Sequence, residues 1–283
     1  MNYRVIFSDN GTLKDLSTDI LNYHTGAETL DYVAAEDHFY IGTRYPMNSI
    51  WVKMDGVNVN DNASTLSIDH WDGQYWRDMV EVIDETAATG KSLAQSGYMS
   101  WVPNKKYGYS REDTVNTSGV ELITGLGNIT IYDLFWHKLD WSADLTNTTA
   151  LKFIGNLFSN DEDLASEYPG VMGDMIAAFE TGKTNYEEQH VRAAELLVND
   201  LVQKKIINSS SQLLDRRLFT NASLTKVAEL IYKVWGDDYD DKRLAARNEY
   251  KSRLKMGIFS VDRNQDARLN TKEASVRQGK MIR

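Results

Sequence analysis

The first half of the chain alternates between apolar and polar positions. In TLSIDHW (65–71) the two kinds take turns, Asp72-Gly73 supplies turn chemistry, and QYWRDMVEVI (74–83) resumes the pattern, which predicts a β-hairpin. Further short runs lie at FYIG (39–42), SIWVKM (49–54), GYMSWV (97–102) and ITIYDLFWHKLDW (129–141), separated by Gly, Asn, Asp and Thr. Six of the seven tryptophans fall before residue 142, so these strands are rich in aromatic side chains. Short aromatic strands at this spacing predict an antiparallel β-sandwich. The stretch GYSREDTVNTSG (108–119) reads as a flexible excursion between strands.

Beyond SADLTNTT (142–149) the period changes to that of helices. Thr184 and Glu187 have the spacing of a capping box, and Val191, Ala194, Leu197, Val198 and Leu201 follow as an apolar stripe. Ser211 to Phe219, Ser223 to Trp235 and Asp241 to Met256 read as further helices, with Gly236 as a stop. Short connections between them predict an antiparallel bundle. The expected fold class is α+β in two domains: an N-terminal antiparallel β-sandwich (1–145) followed by a C-terminal antiparallel helical bundle (146–258). A C-terminal basic tail (259–283) completes the chain.

Composition adds charge asymmetry to this plan. Residues 1–145 hold 10 Lys and Arg against 21 Asp and Glu, a balance of -11, whereas 146–283 hold 21 against 20. The stretch 242–283 alone carries 12 basic and 4 acidic residues, or +8. An acidic body with a basic end offers an electrostatic handle for an acidic partner, and equally describes a solvated amphipathic helix. The candidate partner-binding residues are Lys242, Arg243, Arg247, Lys251, Arg253, Lys255, Arg277, Lys280 and Arg283. With no cysteine there is no disulfide, thiol nucleophile or thiolate metal site. No apolar run approaches a membrane span, and the opening MNYRVIFSDNGTLKD lacks the layout of a signal peptide.

Catalytic motifs are missing. His24, His38, His70, His137 and His190 are scattered without zinc-site spacing, and GLGN (125–128) reads as a turn. Neither a nucleophile elbow nor a phosphate-binding loop occurs, so a non-enzymatic role is expected. Tyr75 and Trp76, with Tyr107 and Tyr109, are candidates for a glycan-stacking face, against the alternative that the tryptophans fill the core.

One stretch carries recognisable ligand spacing. DRNQDARLNTKE places Asp262, Asn264, Asp266, Asn270 and Glu273 at positions 1, 3, 5, 9 and 12 of an EF-hand-like calcium loop, with the Arg268 carbonyl at position 7. Ala267 stands where such loops use Gly, and Arg263, Arg268 and Lys272 offset the ligand charge. The same residues admit a metal-free account, in which Asn270 and Glu273 form the capping box of a short final helix and Asp262, Asn264 and Asp266 are turn formers. The reading is a clasp for the tail that requires no cofactor, with calcium as an optional stiffener.

Taken in order, FYIGTRYPMNSIWVKM, STLSIDHWDGQYW, QSGYMSWVPN and YDLFWHKLDWS resemble a β-sandwich module of tailed-bacteriophage virion proteins, over about 39–142. AAFETGKTNYEEQHVRAAELLVNDL, VAELIYKVWGDDYDDKRLAARNEYKSRLK and the terminal DRNQDARLNTKE are similar in layout to phage head–tail connector (neck adaptor) proteins, over about 150–283. The resemblance implies a structural virion protein at the head–tail junction, made in the host cytoplasm and without membrane contact. It implies a homododecameric ring between the portal protein and a tail completion or terminator protein, with DNA passing through without specific binding. An acidic channel lining suits that passage, since like charges prevent the phosphate contacts behind non-specific affinity. The basic tail from Lys242 to Arg283 becomes the portal-docking element. The competing readings are a carbohydrate-binding or receptor-contacting decoration protein, and a glycoside hydrolase or calcium-regulated enzyme, for which no spaced pair or triad speaks.

Overall fold

A computed structural model describes residues 3–103, 123, 125–126, 134–172, 176, 179–256, 258–268 and 276–277. The expected excursion at 108–119 lies outside them. The chain is α+β, with antiparallel sheets in its N-terminal part and helices in its C-terminal part. It divides into two compact units: Met1–Gly155 with Asn264–Arg268, and Asn156–Arg263 with Leu269–Arg283.

The first unit contains two antiparallel sheets. A six-stranded sheet is built from β1 (Tyr3–Asp9), β2 (Thr12–Asp15), β4 (His38–Thr43), β6 (Leu66–Trp71), β7 (Trp76–Asp78) and β10 (Phe135–Trp141), in the order β2-β1-β4-β10-β6-β7. A five-stranded sheet orders β3 (Glu28–Thr29), β11 (Ala150–Gly155), β5 (Ser49–Met54), β9 (Gly97–Val102) and β8 (Val80–Asp84) as β3-β11-β5-β9-β8. One apolar cluster draws on both: Val5, Phe39, Ile41, Ile68 and Leu139 from the first sheet, Ile50, Val52, Met99, Trp101 and Ile154 from the second. Period-2 alternation explains why the pattern was readable, since it turns Leu139 and Trp141 into this cluster and leaves Lys138 and Asp140 on the other face.

The predicted hairpin forms at Asp72-Gly73, with Trp71 opposite Trp76 and Gly73 at φ 102°. The run 74–83 is nevertheless two strands, because β7 stays in the six-stranded sheet while β8 joins the five-stranded one. The stretch 146–155 differs from its expected place in the helical half: β11 pairs with β5, so the chain remains in the sheet until Gly155. β1 was not expected at all. Its run Val5-Ile6-Phe7 is apolar at successive positions because both faces are covered, Val5 and Phe7 by the inter-sheet cluster and Ile6 by a second one with Tyr40, Trp71 and Trp136.

The second unit holds α2 (Asp161–Glu167), α3 (Glu187–Gln203), α4 (Thr220–Trp235) and α5 (Asp240–Met256), after the single-turn α1 (Ser17–Ile20) of the first. The expected stripe of α3, Val191, Ala194, Leu197, Val198 and Leu201, is buried throughout. Ala194, Leu197, Val198 and Leu201 meet Phe219, Tyr250 and Leu254 in one cluster, while Ala193 joins Leu224, Val227 and Ile231 of α4 in another. α4 ends at Gly236, whose φ of 85° suits only glycine well.

Two expected helix features are corrected. Ser211 to Phe219 is not a helix but two 3₁₀ turns, Ser210–Gln212 and Arg216–Phe219. Between the two turns the Leu214 N–H donates to the Ser260 carbonyl at 3.3 Å and Leu213 bridges Val261, so the backbone there pairs with a distant segment instead of continuing a helix. Thr184 and Glu187 form no capping box, since the helix starts after Tyr186, whose N–H donates to both carboxylate oxygens of Asp161 at 3.2 Å. The cap comes from a residue remote in sequence.

Candidate functional site

α5 is held by a narrow stripe. Among its described residues only Ala246, Tyr250 and Leu254 are buried, and the Tyr250 hydroxyl donates to Asp200 Oδ2 at 2.7 Å. Burial and the Asp200 carboxylate raise the Tyr250 hydroxyl above its ordinary pKa, which keeps it a donor. The predicted partner-binding residues on this helix divide into two groups. Arg243 pairs with Asp240 at 3.0 Å, Arg253 pairs with Glu167 at 3.2 Å and with Glu249, and Arg247 reaches Glu229 at 3.9 Å. Lys242 lies 5.2 Å from the Tyr239 ring. Lys251 and Lys255 are exposed and have no ion pair among the described residues; they follow Leu244, which is 54% exposed, at i+7 and i+11 on the same side of the helix. Arg277 falls in β13 (Val276–Arg277), which pairs antiparallel with β12 (Ile258–Phe259). Lys280 and Arg283 lie outside the described residues.

β12 and β13 bracket the calcium-like loop. Asp262 is fully buried: its N–H donates to the Gln212 carbonyl at 2.8 Å, and its carbonyl accepts from Gln212 Nε2 at 2.8 Å. Asp266 accepts from Asn264 Nδ2 at 2.9 Å and from the Arg268 N–H at 2.8 Å. Arg268, grouped with the first unit, donates through Nε to the Pro103 carbonyl at 2.8 Å. Gln265 (φ 61°) and Ala267 (φ 54°) both take the left-handed backbone that glycine favours, so the sharp turn expected at position 6 is present without its glycine. Among the described residues no group of three or more His, Asp or Glu side chains is arranged to hold a metal, and Asn270 and Glu273 lie outside them.

Sequence reasoning missed a polar row on the outer face of the six-stranded sheet. The register sets Tyr40 beside Lys138, Lys138 beside Asp69, and Asp69 beside Asp78, across β4, β10, β6 and β7. Lys138 Nζ bridges Asp69 Oδ2 at 3.1 Å and Asp140 Oδ2 at 3.0 Å, and Asp140 Oδ1 meets His38 Nδ1 at 2.6 Å. Burial and the neighbouring Asp78 raise the Asp69 carboxyl despite Lys138. Burial acts to raise Asp140 too, but the bonds from His38 and Lys138 outweigh it and hold that carboxyl below its usual range. The same two carboxylates lift Lys138 against the effect of its burial. No local motif announces this row, because residues 40, 69, 78 and 138 meet only through strand register.

Tyr75 and Trp76 adjoin it. Trp76 is half-buried, with its ring 5.4 Å from that of Trp71 and 5.6 Å from that of Tyr40, whereas Tyr75 is 60% exposed at the hairpin tip. The tip is locked by Asp72, which accepts from the Gln74 and Tyr75 N–H groups at 2.9 and 2.8 Å and from Arg77 Nε at 2.6 Å. The Arg77 bond leads in holding the Asp72 carboxyl down at about 2. Of the other predicted aromatics, Tyr107 and Tyr109 lie outside the described residues.

His190 also acquires partners that its sequence position did not suggest. Ser159 Oγ lies 2.7 Å from its Nδ1 and 2.8 Å from Ser223 Oγ, and its Nε2 lies 3.2 Å from Asp161 Oδ1. Ser159, His190 and Ser223 are buried, and Asp161 also caps α3, so this chain ties the starts of α2, α3 and α4 together. Among the described residues no helix is long and apolar enough to cross a membrane. No protein-family model and no curated protein matches the chain.

Proposed function

We propose that the chain is a structural component of the neck of a tailed-phage particle: a head–tail adaptor made of a β-sandwich module and an antiparallel helical bundle. It assembles as a homododecameric ring between the portal protein and a tail completion or terminator protein, around DNA that it does not bind specifically. The observation that carries this reading is the outer flank of α5. Among its described residues that helix buries only Ala246, Tyr250 and Leu254, and it leaves Lys251 and Lys255 exposed on the same side as the exposed Leu244, two and three turns further along. An exposed apolar residue in line with two exposed cations suits a docking surface for an acidic partner, where the charges steer approach and the apolar side chain contributes burial. Arg247 and Arg253 reach Glu229 and Glu167 outside the helix, and Arg243 pairs with Asp240 within it. Calcium in the 262–273 loop remains an optional stiffener of the tail in this reading. The sheet unit contributes the acidity that keeps DNA moving, since residues 1–145 carry a balance of -11.

The test is assembly. Mixed with purified portal rings, the wild-type chain is expected to co-sediment at low salt and to be released as salt rises, with Lys251→Glu/Lys255→Glu lost at both. Electron microscopy of tailed particles with a labelled chain should place it at the head–tail junction. Labelling elsewhere in the particle, or portal binding indifferent to both charge reversals and salt, would sink the proposal.

A further inference from the structure

We propose that the outer face of the six-stranded sheet binds a carbohydrate, using the Trp76 ring as a platform and the Asp69–Asp78–Lys138 row as its hydrogen-bonding edge. This goes beyond the adaptor reading and stands on the other unit of the chain. The platform is rigid. Trp71 and Tyr40 hold the Trp76 ring in place, and the Asp72 contacts with Gln74, Tyr75 and Arg77 fix the hairpin that presents it. Asp78 is exposed and lies two residues beyond Trp76 on the same strand, hence on the same face. Asp69 is its cross-strand partner, and Lys138 is that of Asp69.

The chemistry of this surface selects among ligand classes. A sugar ring has an apolar C–H face that covers an aromatic ring, and hydroxyls that both donate and accept hydrogen bonds. The row offers both complements side by side: carboxylates that accept, and an ammonium that donates. A phosphate ligand would meet Asp69, Asp78 and Asp140 around a single lysine already bonded to two of them. A cationic ligand would find Lys138 Nζ already 5.8 Å from the Trp76 ring centre. An apolar peptide would have to desolvate the charged row, which is costly.

The experiment uses the full chain on an array of immobilised bacterial surface oligosaccharides, with the strongest hit then titrated by tryptophan fluorescence. Binding to one saccharide class is expected, weakened about tenfold by Asp78→Asn, because the amide offers a neutral acceptor in place of the charged one. Trp76→Ala should abolish it. Asp78 is exposed, so the Asp78→Asn chain should keep the wild-type Tm and decide the matter even if Trp76→Ala fails to fold. No binding by the wild-type chain anywhere on the array, or binding unchanged by Asp78→Asn, overturns the proposal. Portal binding should be untouched by Asp78→Asn, and saccharide binding untouched by Lys251→Glu/Lys255→Glu, so the two proposals fail separately.

Discussion

The most quantitative consequence of the fold concerns His137. Its imidazole is fully buried between the sheets, 5.3 Å from the Trp101 ring, with Nδ1 3.3 Å from the Ile41 carbonyl and His70 as its cross-strand partner. Burial, with a smaller contribution from His70, lowers its pKa from 6.5 to about 3. The sign follows directly. Between those two values the unfolded chain binds a proton that the folded chain refuses, so unfolding becomes easier as pH falls below 6.5. One such group removes about 2 kcal/mol of stability by pH 5, approaching ~1.4 kcal/mol for each further pH unit. Urea unfolding followed by tryptophan fluorescence reports on the right unit, since six of the seven tryptophans precede residue 142. Wild-type and His137→Gln chains should be compared between pH 7.5 and 5, above the range where ordinary carboxylates titrate. Whatever constant offset the substitution introduces, the wild-type stability should fall by about 2 kcal/mol more across this window. Parallel curves would refute the claim that His137 stays neutral in the folded chain.

Three further outcomes test other parts of the structure. Tyr250→Phe should cost the helical unit about 2 kcal/mol, read as a lower urea midpoint in far-ultraviolet circular dichroism, because it removes a hydrogen bond to the Asp200 carboxylate. Gly97→Ala should destabilise the sheet unit by about 1–3 kcal/mol in thermal unfolding, since the added Cβ would stand 2.4 Å from the Glu85 carbonyl oxygen on the neighbouring strand. Gln265→Gly should slow amide exchange across 262–268 by relieving about 1 kcal/mol of left-handed strain, whereas Ala267→Gly should change little, because the relief is offset by losing a buried methyl group.

The parts of the fold that were legible in the sequence are those where local pattern and tertiary environment agree. SIWVKM and GYMSWV appear as strands over the very residues of those short, aromatic-rich apolar runs, and Asp72-Gly73 turns the chain where turn chemistry required it. Legibility failed where a distant residue supplied the deciding interaction. Val5-Ile6-Phe7 is continuous apolar sequence because two separate clusters cover β1, and no window around residue 5 contains that information. α3 begins at Glu187 because Asp161 accepts from the Tyr186 N–H, which displaced the locally plausible Thr184 cap. The basic residues were visible as a run, yet the run could not say that Arg253 is committed to Glu167 and Glu249 while Lys251 points away.

The polar row raises a different question, which is why a sheet face that is apolar at Ile6, Trp71 and Trp136 changes to charges at Lys138, Asp69 and Asp140. Stability does not require the change. Half-buried ion pairs recover little more than their own desolvation, and well-packed apolar residues of similar size often do as well or better. Continuing the aromatic cover of Tyr40, Trp71 and Trp136 across β6 and β7 would therefore have been the simpler way to close this face. What the charges add is a fixed array of donors and acceptors: Lys138 is oriented by two carboxylates, Asp140 by His38, and Asp69 by Lys138 and Asp78. Orientation of that kind is wasted on bulk water, which adapts to any geometry, but it lowers the entropic cost of binding a ligand whose hydroxyls are themselves fixed on a ring. The half-exposed Trp76 and the exposed Asp78 at the open end of the row put that preorganised edge within reach of such a ligand.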